Sequence, residues 1–426
     1  MNTYKKYKKS KFKWFSDVPF DWKEGRISYL FNIGRGRVIS ELELNPDGVY
    51  PVYSSQTKND GCLGYIDTFD FDDKILTWTT DGANAGSVFL REGKFNCTNV
   101  CGTLSPKIPL DLKYYLYYLQ AITIFYKRPD TNGAKIMNNE MAAIYCLAPA
   151  IQEQTQIAQY LDYQTGIIDE LIKKKEKLIE LLKEKRQSII NEAVTKGLNP
   201  KAKMKESGIE WLGLIPYEWV VSRIGFVADL ITGFPWKSEL FDFESGIKIV
   251  RGENVSEGFL RWGDRARFWK QEVELDSKYF LNENDIVIAM DGSKVGKNYV
   301  LITSTDLPLI LHQRMCRLRV RKGIHPQFIA YYISSNMFRY YIDISKTDPM
   351  VPHITQKNIF DFELAIPSFA VQQSIVDYLD EKNATIHSLI FNVKNQIEKL
   401  KEYRQSLISE AVTGKIDLRE WQPNNK

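Results

Sequence analysis

The sequence has little of what marks secreted, membrane-spanning or metal-binding proteins. Its 426 residues include five cysteines and four histidines, which show no CxxC pair and no other metal-ligand spacing. An odd number of such cysteines indicates reduced thiols and a cytoplasmic protein. The longest apolar run, residues 114–126, is too short to span a bilayer. No apolar segment follows the basic start as it would in a secretory signal.

Motifs of the common enzyme classes are also missing. Residues 292–298 resemble a phosphate-binding loop, but one residue too few separates the glycines, and Asn298 stands where Ser or Thr would hold magnesium. No glycine-rich AdoMet-binding turn follows a strand, and no Asn-Pro-Pro-aromatic motif for amino-group methylation occurs. We therefore expect no catalytic residue, cofactor or metal site in this chain.

The composition is that of a folded protein with little electrostatic bias. Apolar residues make up 44% of the chain, charged residues 26%, and the net charge is +4, so basicity alone is a weak indication of nucleic-acid binding. Lysines crowd residues 5–13 among aromatic residues, which is more typical of a solvated arm than of a specific binding element. The length allows two or more domains.

An internal duplication organises the chain. Residues 149–198 align without a gap with residues 367–416, at an offset of 218. Both copies contain Tyr-Leu-Asp, Arg-Gln-Ser and Glu-Ala-Val-Thr at the same positions. A duplication of this length predicts two copies of one structural unit.

The duplication extends upstream with a changing offset. The motif Trp-x4-Pro-x2-Trp occurs at 14–22 and 211–219, an offset of 197, and Asp-Gly-x3-Gly occurs at 81–86 and 291–296, an offset of 210. From 197 to 218 the difference is 21, so the second copy carries 21 extra residues. This pattern predicts two related domains that differ in their loops.

Each of the two gapless copies predicts one long helix. Apolar residues recur at steps of four and three: Ile168, Ile172, Ile179, Leu182 and Ile189 in the first copy, and Ile386, Ile390, Val393, Ile397, Leu400 and Leu407 in the second. Gly197 and Gly414 stand where each helix would end. The stripes fit either two amphipathic helices on separate domains or one coiled coil, and their matching seams favour the coiled coil.

These observations predict an α+β protein made of two similar domains and two long helices. The expected segments are a first domain over 1–148, a long helix over 149–198, a linker and second domain over 199–366, and a second long helix with a tail over 367–426. Short apolar runs predict a curved, largely antiparallel sheet in each domain, with helices over 111–125 and 326–341. The short linker favours antiparallel helices, and therefore a pseudo-two-fold repeat with the domains at opposite ends of the pair.

Polar loops of both domains are the candidate DNA-binding surfaces. Their Ser, Asn, Gln, Arg and Lys side chains suit base edges and phosphates, and their glycines allow close backbone approach. The candidate residues are Ser54, Ser55, Gln56, Lys58, Asn84, Asn132, Lys135, Arg251, Asn254, Ser293, Lys294, Lys297, Gln313, Arg314, Lys346, His353, Gln356 and Lys357. A plain turn between strands explains each glycine-containing loop equally well, and many polar loops are only solvated.

Essentially the whole chain resembles the DNA-specificity subunit of type I restriction–modification enzymes. The resemblance rests on the two Trp-x4-Pro-x2-Trp motifs, the domain-ending Ala148-Pro149-x2-Gln-Glu-Gln and Ile366-Pro367-x4-Gln-Gln, the Tyr-Leu-Asp, and the helices that end in Glu-Ala-Val-Thr. The second copy departs slightly, with Gln372-Gln373 where the family usually keeps Glu-Gln.

The resemblance implies two target-recognition domains, each reading one half of a bipartite, asymmetric site on double-stranded DNA. The antiparallel helices would serve as a ruler and as a docking surface for two methyltransferase (modification) subunits, which motor–nuclease (restriction) subunits would join. AdoMet, ATP and magnesium would belong to those partners, and this chain would be a non-catalytic subunit that directs adenine methylation or restriction. No family motif fixes base-contacting residues, so the candidate residues rest on the loops alone.

Two other functions stay open on the sequence. The chain could be the recognition portion of a fused methyltransferase–nuclease, or a nuclease itself, although the missing catalytic motifs speak against both. It could also be a coiled-coil adaptor that never touches DNA. AdoMet crosslinking would support the first class, and sequence-specific retention on duplex DNA would exclude the second.

Overall fold

The computed structural model describes residues 3–12, 17–131, 133–270, 275–292, 294–345 and 352–423. The chain forms two compact units. The N-terminal unit comprises residues 1–176 and 394–426, and the C-terminal unit comprises residues 177–393. These units divide each long helix, whereas the boundaries predicted from the sequence follow the helix ends. Trp14 of the first tryptophan motif lies outside the described residues.

The N-terminal unit is built from short strands around one helix rich in tyrosine. Its strands are β1 (Tyr7–Lys9), β2 (Asp17–Pro19), β3 (Lys23–Arg26), β4 (Phe31–Arg35), β5 (Tyr50–Tyr53), β6 (Cys62–Ile66), β7 (Phe71–Thr79), β8 (Asp81–Gly82), β9 (Val88–Cys97), β10 (Cys101–Pro106), β11 (Arg128–Asp130), β12 (Gly133–Lys135) and β13 (Tyr145–Ala148). Its short helices are α1 (Ile27–Leu30), α2 (Leu112–Ile122) and α3 (Asn138–Ala143). The main sheet has the order β4-β10-β7-β9-β5-β6.

Helix α2 forms where its sequence supplies both a cap and an apolar face. The side chain of Asp111 accepts hydrogen bonds from the backbone N–H groups of Lys113 and Tyr114, which satisfies donors at the helix start. Tyr114 and Tyr118 are fully buried in the core of the unit together with Trp78. The predicted helix over 111–125 is therefore confirmed, with its last turn, Thr123–Phe125, as a 3-10 helix.

The C-terminal unit contains a second set of short strands. They are β14 (Met204–Glu206), β15 (Leu214–Pro216), β16 (Val220–Arg223), β17 (Ala228–Thr232), β18 (Phe241–Asp242), β19 (Ile247–Val250), β20 (Val255–Ser256), β21 (Phe259–Leu260), β22 (Phe268–Trp269), β23 (Ile286–Ala289), β24 (Tyr299–Leu301), β25 (Leu309–Leu311), β26 (Met315–Val320) and β27 (Glu363–Ile366). Two four-stranded sheets, β17-β26-β23-β24 and β18-β22-β19-β25, make up most of the unit.

The sheet order confirms that the two units are copies of one fold. The order β4-β10-β7-β9 of the N-terminal unit is repeated as β17-β26-β23-β24 in the C-terminal unit, with antiparallel neighbours in both. Parallel pairs occur where β5 meets β9 and where β19 meets β25. The prediction that each domain is α+β with a largely antiparallel sheet is confirmed.

One predicted helix is wrong in its extent. The expected single helix over 326–341 is two helices, α6 (Pro326–Ser334) and α7 (Asn336–Ser345), that break at Ser335. The hydroxyl of Ser335 donates to the carbonyl of Tyr332 and accepts from the N–H of Phe338, at 2.5 and 3.3 Å. It thus ends one helix and caps the next, which an apolar periodicity that continues through Ser335 could not reveal.

The two long helices match their predicted extent closely. In chain order after α3 the helices are α4 (Ile151–Lys196), α5 (Ile224–Val227), α6, α7, α8 (Gln356–Phe360) and α9 (Phe369–Val412). Gly197 and Gly414 follow α4 and α9 with φ of +72° and +73°. Glycine adopts this left-handed conformation more readily than residues with a side chain, so both helices end where the sequence places a glycine.

Segments of the two long helices pack antiparallel in the N-terminal unit. Asp169 of α4 accepts from Arg404 of α9 at 2.9 Å, and six residues later Lys175 donates to Gln396 at 2.6 Å. The partner number falls as the α4 number rises, which defines the antiparallel direction. Ile168 and Leu407 of the predicted seam are buried together in the core of this unit.

The same direction holds in the C-terminal unit. Arg186 of α4 donates to Asn383 of α9 at 3.2 Å, and Val194, eight residues further on, clusters with Ile375. In each unit the segments of α4 and α9 therefore pack on each other, as the coiled-coil interpretation predicts. This excludes two amphipathic helices that pack only on their own domains.

The shared motifs attach the long helices to the domains. The buried side chain of Gln154 accepts from the N–H of Asp111 at 2.9 Å and donates to the carbonyl of the proline that precedes α4. Gln372 makes the same two bonds in the C-terminal unit, with His325 as donor at 2.8 Å. The glutamine that both domain-ending motifs share thus holds the first turn of each long helix against the start of the domain helix.

The aspartate of the Tyr-Leu-Asp motif makes a second attachment. Asp162 accepts from the hydroxyl of Tyr117 at 2.9 Å, and Asp380 accepts from the hydroxyl of Tyr331. In each unit this bond joins the long helix that leaves the domain to the helix inside it. The motif therefore stabilises the position of the long helix relative to its own domain.

Candidate nucleic-acid interface

A network of backbone hydrogen bonds gathers four loops at one edge of the N-terminal unit. We call this the N-terminal edge: residues 54–61, 81–87, 98–100 and 133–136. The N–H of Thr98 donates to the carbonyl of Tyr53 at 2.9 Å, and the N–H of Thr80 donates to that of Val100 at 3.1 Å. The N–H of Ile136 then donates to the carbonyl of Thr80 at 2.9 Å. Loops that are distant in the sequence thus meet on one surface.

The same network occurs in the C-terminal unit. We call its loops the C-terminal edge: residues 251–254, 291–292, 294–298, 312–314 and 352–354. The N–H of His312 donates to the carbonyl of Val250 at 3.1 Å, that of Met290 to Arg314 at 2.9 Å, and that of Ile354 to Met290 at 2.9 Å. Each bond is the counterpart of one at the N-terminal edge, so the two edges share one backbone scaffold.

A pair of glycines shows how closely the backbone approaches at both edges. A side chain at Gly36 would lie 2.1 Å from the carbonyl oxygen of Cys97, and one at Gly233 would lie 2.0 Å from that of His312. Residues 36 and 233 correspond at the offset of 197 found in the sequence. A Cβ atom cannot occupy that space, so both positions require glycine. Sequence reasoning missed this pair, because the constraint comes from strands distant in the chain.

The Asp-Gly-x3-Gly motifs form matching turns at the two edges. Gly82 and Gly292 have φ of +85° and +90°, and Gly86 and Gly296 have φ of +81° and +76°. Glycine adopts these angles freely, so the turn explanation accounts for both glycines. The turns nevertheless lie within the edges. The backbone of Asp81 pairs with that of Lys135, and the backbone of Asp291 pairs with that of His353, in equivalent antiparallel β-bridges.

Most of the extra residues of the second copy lie in one stretch of the C-terminal unit. The offset is 197 at Tyr53 and Val250, and 210 at Asp81 and Asp291, so 13 of the additional residues fall between β19 and the end of β23. This stretch contains the hairpin of β20 and β21, and β22. The C-terminal unit is therefore longer than the N-terminal unit in this stretch.

A buried arginine fixes the first loop of the N-terminal edge. The guanidinium of Arg91, whose side chain is 3% exposed, pairs with the carboxylate of Asp60 at 2.5 Å and donates to its carbonyl at 2.6 Å. It also stacks on Tyr53, with the Cζ atom 3.6 Å from the ring centroid. Desolvated cation–π contacts of this kind are favourable. The loop that carries the candidates Ser54, Ser55, Gln56 and Lys58 is thus held at its far end.

The candidate residues of this loop differ in their freedom. Ser54 accepts from the hydroxyl of Thr98 at 3.0 Å, and Gln56 donates to the carbonyl of Cys62, so both are engaged in shaping the loop. Lys58 is exposed, and Ser55 is partly exposed. Among the candidates of this loop, Lys58 is therefore the one that is exposed, and Ser54, Ser55 and Gln56 are each partly exposed.

The remaining N-terminal candidates lie on the neighbouring loops. Asn84 is half-buried in the Asp-Gly-x3-Gly turn, where its carbonyl accepts from the N–H of Ser87 at 3.1 Å. Lys135 pairs with Asp130 at 3.1 Å. Asn132 lies outside the described residues. The described candidates of this unit therefore come together at the N-terminal edge.

Asn254 requires a correction. It is 0% exposed, and its side chain accepts from the N–H of Arg251 at 3.2 Å and donates to the carbonyls of Arg261 and Arg265 at 3.1 and 3.3 Å. A fully buried amide with these bonds shapes the loop and cannot face DNA. Its polar type in a loop suggested contact, whereas the packing of the extra residues over it decided burial.

A cleft of about 610 Å³ opens at the C-terminal edge. Its lining includes the candidates Arg251, Lys294, Gln313 and Arg314, together with Glu253, Asp291, His312, Arg261 and Asn298. Gln313 and Arg314 are exposed at the tip of the turn between β25 and β26. The sequence analysis missed Arg261 and Asn298. The run of arginines at 261–267 was an available signal for the first, and the end of the Asp-Gly-x3-Gly turn was a signal for the second.

The other C-terminal candidates lie around this cleft or along α8. Lys297 and His353 are exposed, and His353 forms the bridge to Asp291. Gln356 donates to the carbonyl of Leu230 at 3.1 Å, and Lys357 pairs with Asp361 along α8. Ser293 and Lys346 lie outside the described residues.

One residue that lines the cleft, His312, is buried among aromatic side chains. His312 is buried against Trp236 and Phe241, with ring centroids 5.9 and 5.5 Å apart. Burial lowers the pKa of His312, and the guanidinium of Arg251 acts in the same direction. Burial likewise lowers the pKa of Arg251, while Glu253 opposes the change. The edge therefore holds a neutral imidazole beneath exposed polar side chains.

Other kinds of site are not evident in the part of the chain that the structure describes. No group of three or more His, Cys, Asp or Glu side chains there could hold a metal ion. No helix in the same residues is both long enough and apolar enough to cross a membrane.

Comparison with known proteins identifies the family. The family model described as the type I restriction modification DNA specificity domain matches residues 19–181 and 216–399. The chain belongs to this family. Its two matched regions are in tandem, as the sequence repeat and the repeated sheet order require.

Relatives and solved structures agree with this membership. The chain is 26% identical over 419 residues to the type I restriction enzyme MjaVIII specificity subunit of Methanocaldococcus jannaschii. The match covers 94% of this chain and 94% of that one. It is 27% identical over 183 residues to the EcoAI specificity subunit of Escherichia coli, which is 42% of this chain and 31% of that one.

The solved structures show the likeness in fold. A chain solved in work on complex assembly and conformational transition of the type I R-M system matches with a TM-score of 0.70 at 15% identity, over 94% of this chain and 99% of that one. The HsdS subunit from Thermoanaerobacter tengcongensis matches with a TM-score of 0.50 at 16% identity, over 94% and 98%. At these identities the matches support the fold alone.

Proposed function

We propose that this specificity subunit recognises a bipartite, asymmetric site on double-stranded DNA, and that each unit reads one half through its edge. The observation that carries the proposal is the shared backbone scaffold with different side chains. Thr98-Asn99-Val100 of the N-terminal edge stands where the C-terminal edge has His312-Gln313-Arg314. Equal scaffolds with unequal side chains suit two half-sites of different sequence.

The chemistry then belongs to partner subunits. Methyltransferase subunits would methylate adenine in the recognised site, and motor–nuclease subunits would restrict unmodified DNA, with AdoMet, ATP and magnesium bound by those partners. The antiparallel helices would dock the methyltransferase subunits and set the number of base pairs between the half-sites, as the family resemblance implies. Such a complex acts on chromosomal DNA in the cytoplasm. This chain would supply recognition and no catalytic group.

Mapping of methylated bases tests the proposal directly. The full chain is expressed with its cognate modification subunit in a methylation-free host, and methylated adenines are mapped across the genome. We expect one split motif with two fixed halves and a constant gap. A chain in which residues 14–148 are replaced by those of a related subunit is the matched comparison, and only one half of its motif should change.

Each contrary result has a clear meaning. Methylation of a continuous, unsplit motif would overturn the bipartite reading. A change in both halves after exchange of one domain would show that the units do not read independently. A complex that assembles but shows no sequence preference on DNA would favour the adaptor interpretation.

A further inference from the structure

The turn between β25 and β26 contains a strained residue. Among the described residues, four that are not glycine have positive φ: Asn59, Asp60, Asn284 and Arg314. Asn and Asp tolerate this conformation because their short side chains bond locally, whereas an arginine has no such compensation. Arg314, with φ of +62°, is therefore the exception. Backbone strain at a long polar side chain is a reason to look for function there.

Backbone bonds hold this turn from both sides. The N–H of His312 donates to Val250, and that of Gln313 donates to Phe234, both at 3.1 Å. The carbonyl of Arg314 accepts from the N–H of Met290 at 2.9 Å. Three separate segments of the chain thus fix the turn, while the side chains of Gln313 and Arg314 are exposed. A rigid backbone that presents free side chains lowers the entropic cost of binding.

The guanidinium of Arg314 has one partner among the described residues. It pairs with Asp291 at 3.1 Å through Nη1, and the two side chains are 62% and 26% exposed. The backbone of Asp291 is itself held by an antiparallel β-bridge to His353. Arg314 lines the cleft of about 610 Å³, and most of its side chain is exposed. The carboxylate therefore directs the planar group without covering it.

This arrangement suits a base edge better than a phosphate. A carboxylate beside the arginine would repel the negative charge of a phosphate. An arginine with a fixed direction instead matches the O6 and N7 acceptors of guanine in the major groove, which is the commonest specific contact between protein and DNA. The rigid turn and the carboxylate partner both fix the direction of the guanidinium, as a base contact requires.

We propose that Arg314 reads one guanine in the half-site of the C-terminal unit, and that Asp291 is a positioning residue that orients its guanidinium. The inference rests on the proposed function and names a specificity determinant within it. The N-terminal edge has Val100 at the equivalent position, which cannot make this contact. The guanine therefore belongs to one half-site only.

The test compares arginine variants in the complete complex of this chain with its modification subunits. Arg314→Gly removes the guanidinium at a position where glycine adopts the observed φ without strain, so the fold is preserved. Bound duplexes are selected from a randomised library and sequenced. We expect the preference for guanine at one position of one half-site to fall about 10- to 100-fold, with the other half unchanged. Asp291→Asn should cause a smaller loss at the same position, with an unchanged salt dependence.

Arg321→Ala is the matched control. Arg321 follows the other end of β26 and pairs with Asp229 at 2.8 Å, with side chains 52% and 62% exposed. It carries the same charge in a similar ion pair, so its variant should leave the motif unchanged. An equal loss of guanine preference in Arg321→Ala would overturn the proposal, since any arginine would then suffice.

Two further results would overturn the inference and leave the proposed function intact. One is that the wild-type complex selects a split motif and the Arg314→Gly complex selects the same motif with an unchanged preference for guanine. The other is a uniform loss of affinity with a salt slope smaller by about one, which is the mark of a phosphate contact. A wild-type complex that selects no split motif would instead overturn the proposed function itself.

Discussion

The N-terminal and C-terminal edges are built on the same backbone scaffold but differ in how their loops are held. A buried cation, Arg91, fixes the first loop of the N-terminal edge through Asp60 and Tyr53. A buried neutral amide, Asn254, fixes the corresponding loop of the C-terminal edge through backbone groups. The scaffold bonds repeat because they are backbone bonds, which change little with sequence. The holding side chains differ because the loops they hold differ in length.

This difference separates the positioning of an edge from the choice of side chains that the edge presents. The backbone network positions the edge, and substitutions outside it can change what the edge presents. Under the proposed function, a domain of this design could acquire a new half-site without losing its fold, since its exposed side chains contribute little to the core. The three predictions that follow test whether the two edges are independent, from the largest expected effect to the smallest.

Asn254→Ala should have the largest effect, confined to the C-terminal edge. It leaves the N–H of Arg251 and the carbonyl of Arg261 without their buried partner, and unsatisfied groups of this kind cost about 1–3 kcal/mol each. We expect the amides of residues 251–261 to lose protection in hydrogen exchange, and the preference for one half-site to weaken. Asn282→Ala, which removes an exposed amide in the same unit, is the control. Equal loss of protection at residues 54–61 would show that the edges are coupled.

Arg91→Met should have an intermediate effect at the N-terminal edge. Methionine keeps most of the packing volume but loses the pair with Asp60 and the stacking on Tyr53. We expect about 1–2 kcal/mol less protection of residues 54–61, because Asp60 is largely exposed and the ion pair is partly screened. Lys94→Met, on the same strand and exposed, removes an equal charge and should change nothing. If Arg91→Met instead changed the sequence preference of the half-site assigned to the C-terminal unit, the independence of the two edges would be contradicted.

A smaller effect should appear with pH at the C-terminal edge alone. The pKa of His312 lies below its ordinary value of 6.5 because burial disfavours the charged ring. The unfolded chain therefore binds the proton more readily, and stability is lost as the pH falls through 6.5 towards the lowered pKa. Hydrogen exchange of residues 312–315 between pH 7.5 and 5.5 should show a loss of at most about 1 kcal/mol.

His312→Thr is the natural comparison for this effect. It installs the residue that the N-terminal edge has at Thr98, and it should remove the acid sensitivity of the turn. The N-terminal edge should show no such step in either protein. If a step of equal size persists in His312→Thr, the acid sensitivity belongs to another titratable group.

The elements differ in how well the sequence predicted them. The long helices were predicted to within two residues, because apolar periodicity and a terminal glycine are local signals. The break at Ser335 was missed, because the apolar pattern runs on through it. Most described candidates came together at the edges, although Asn254 is buried and Lys357 lies along α8. The required glycines, Gly36 and Gly233, were missed, because their constraint lies in a neighbouring strand.

The sequence by itself determined the duplication, the two helices and the polar character of the loops, since these depend on composition and on residues close in the chain. The family followed from the same motifs. Only the tertiary structure decided which loops share an edge and which of their side chains are buried. Those properties depend on hydrogen bonds between strands that are distant in the sequence, and no local pattern encodes them.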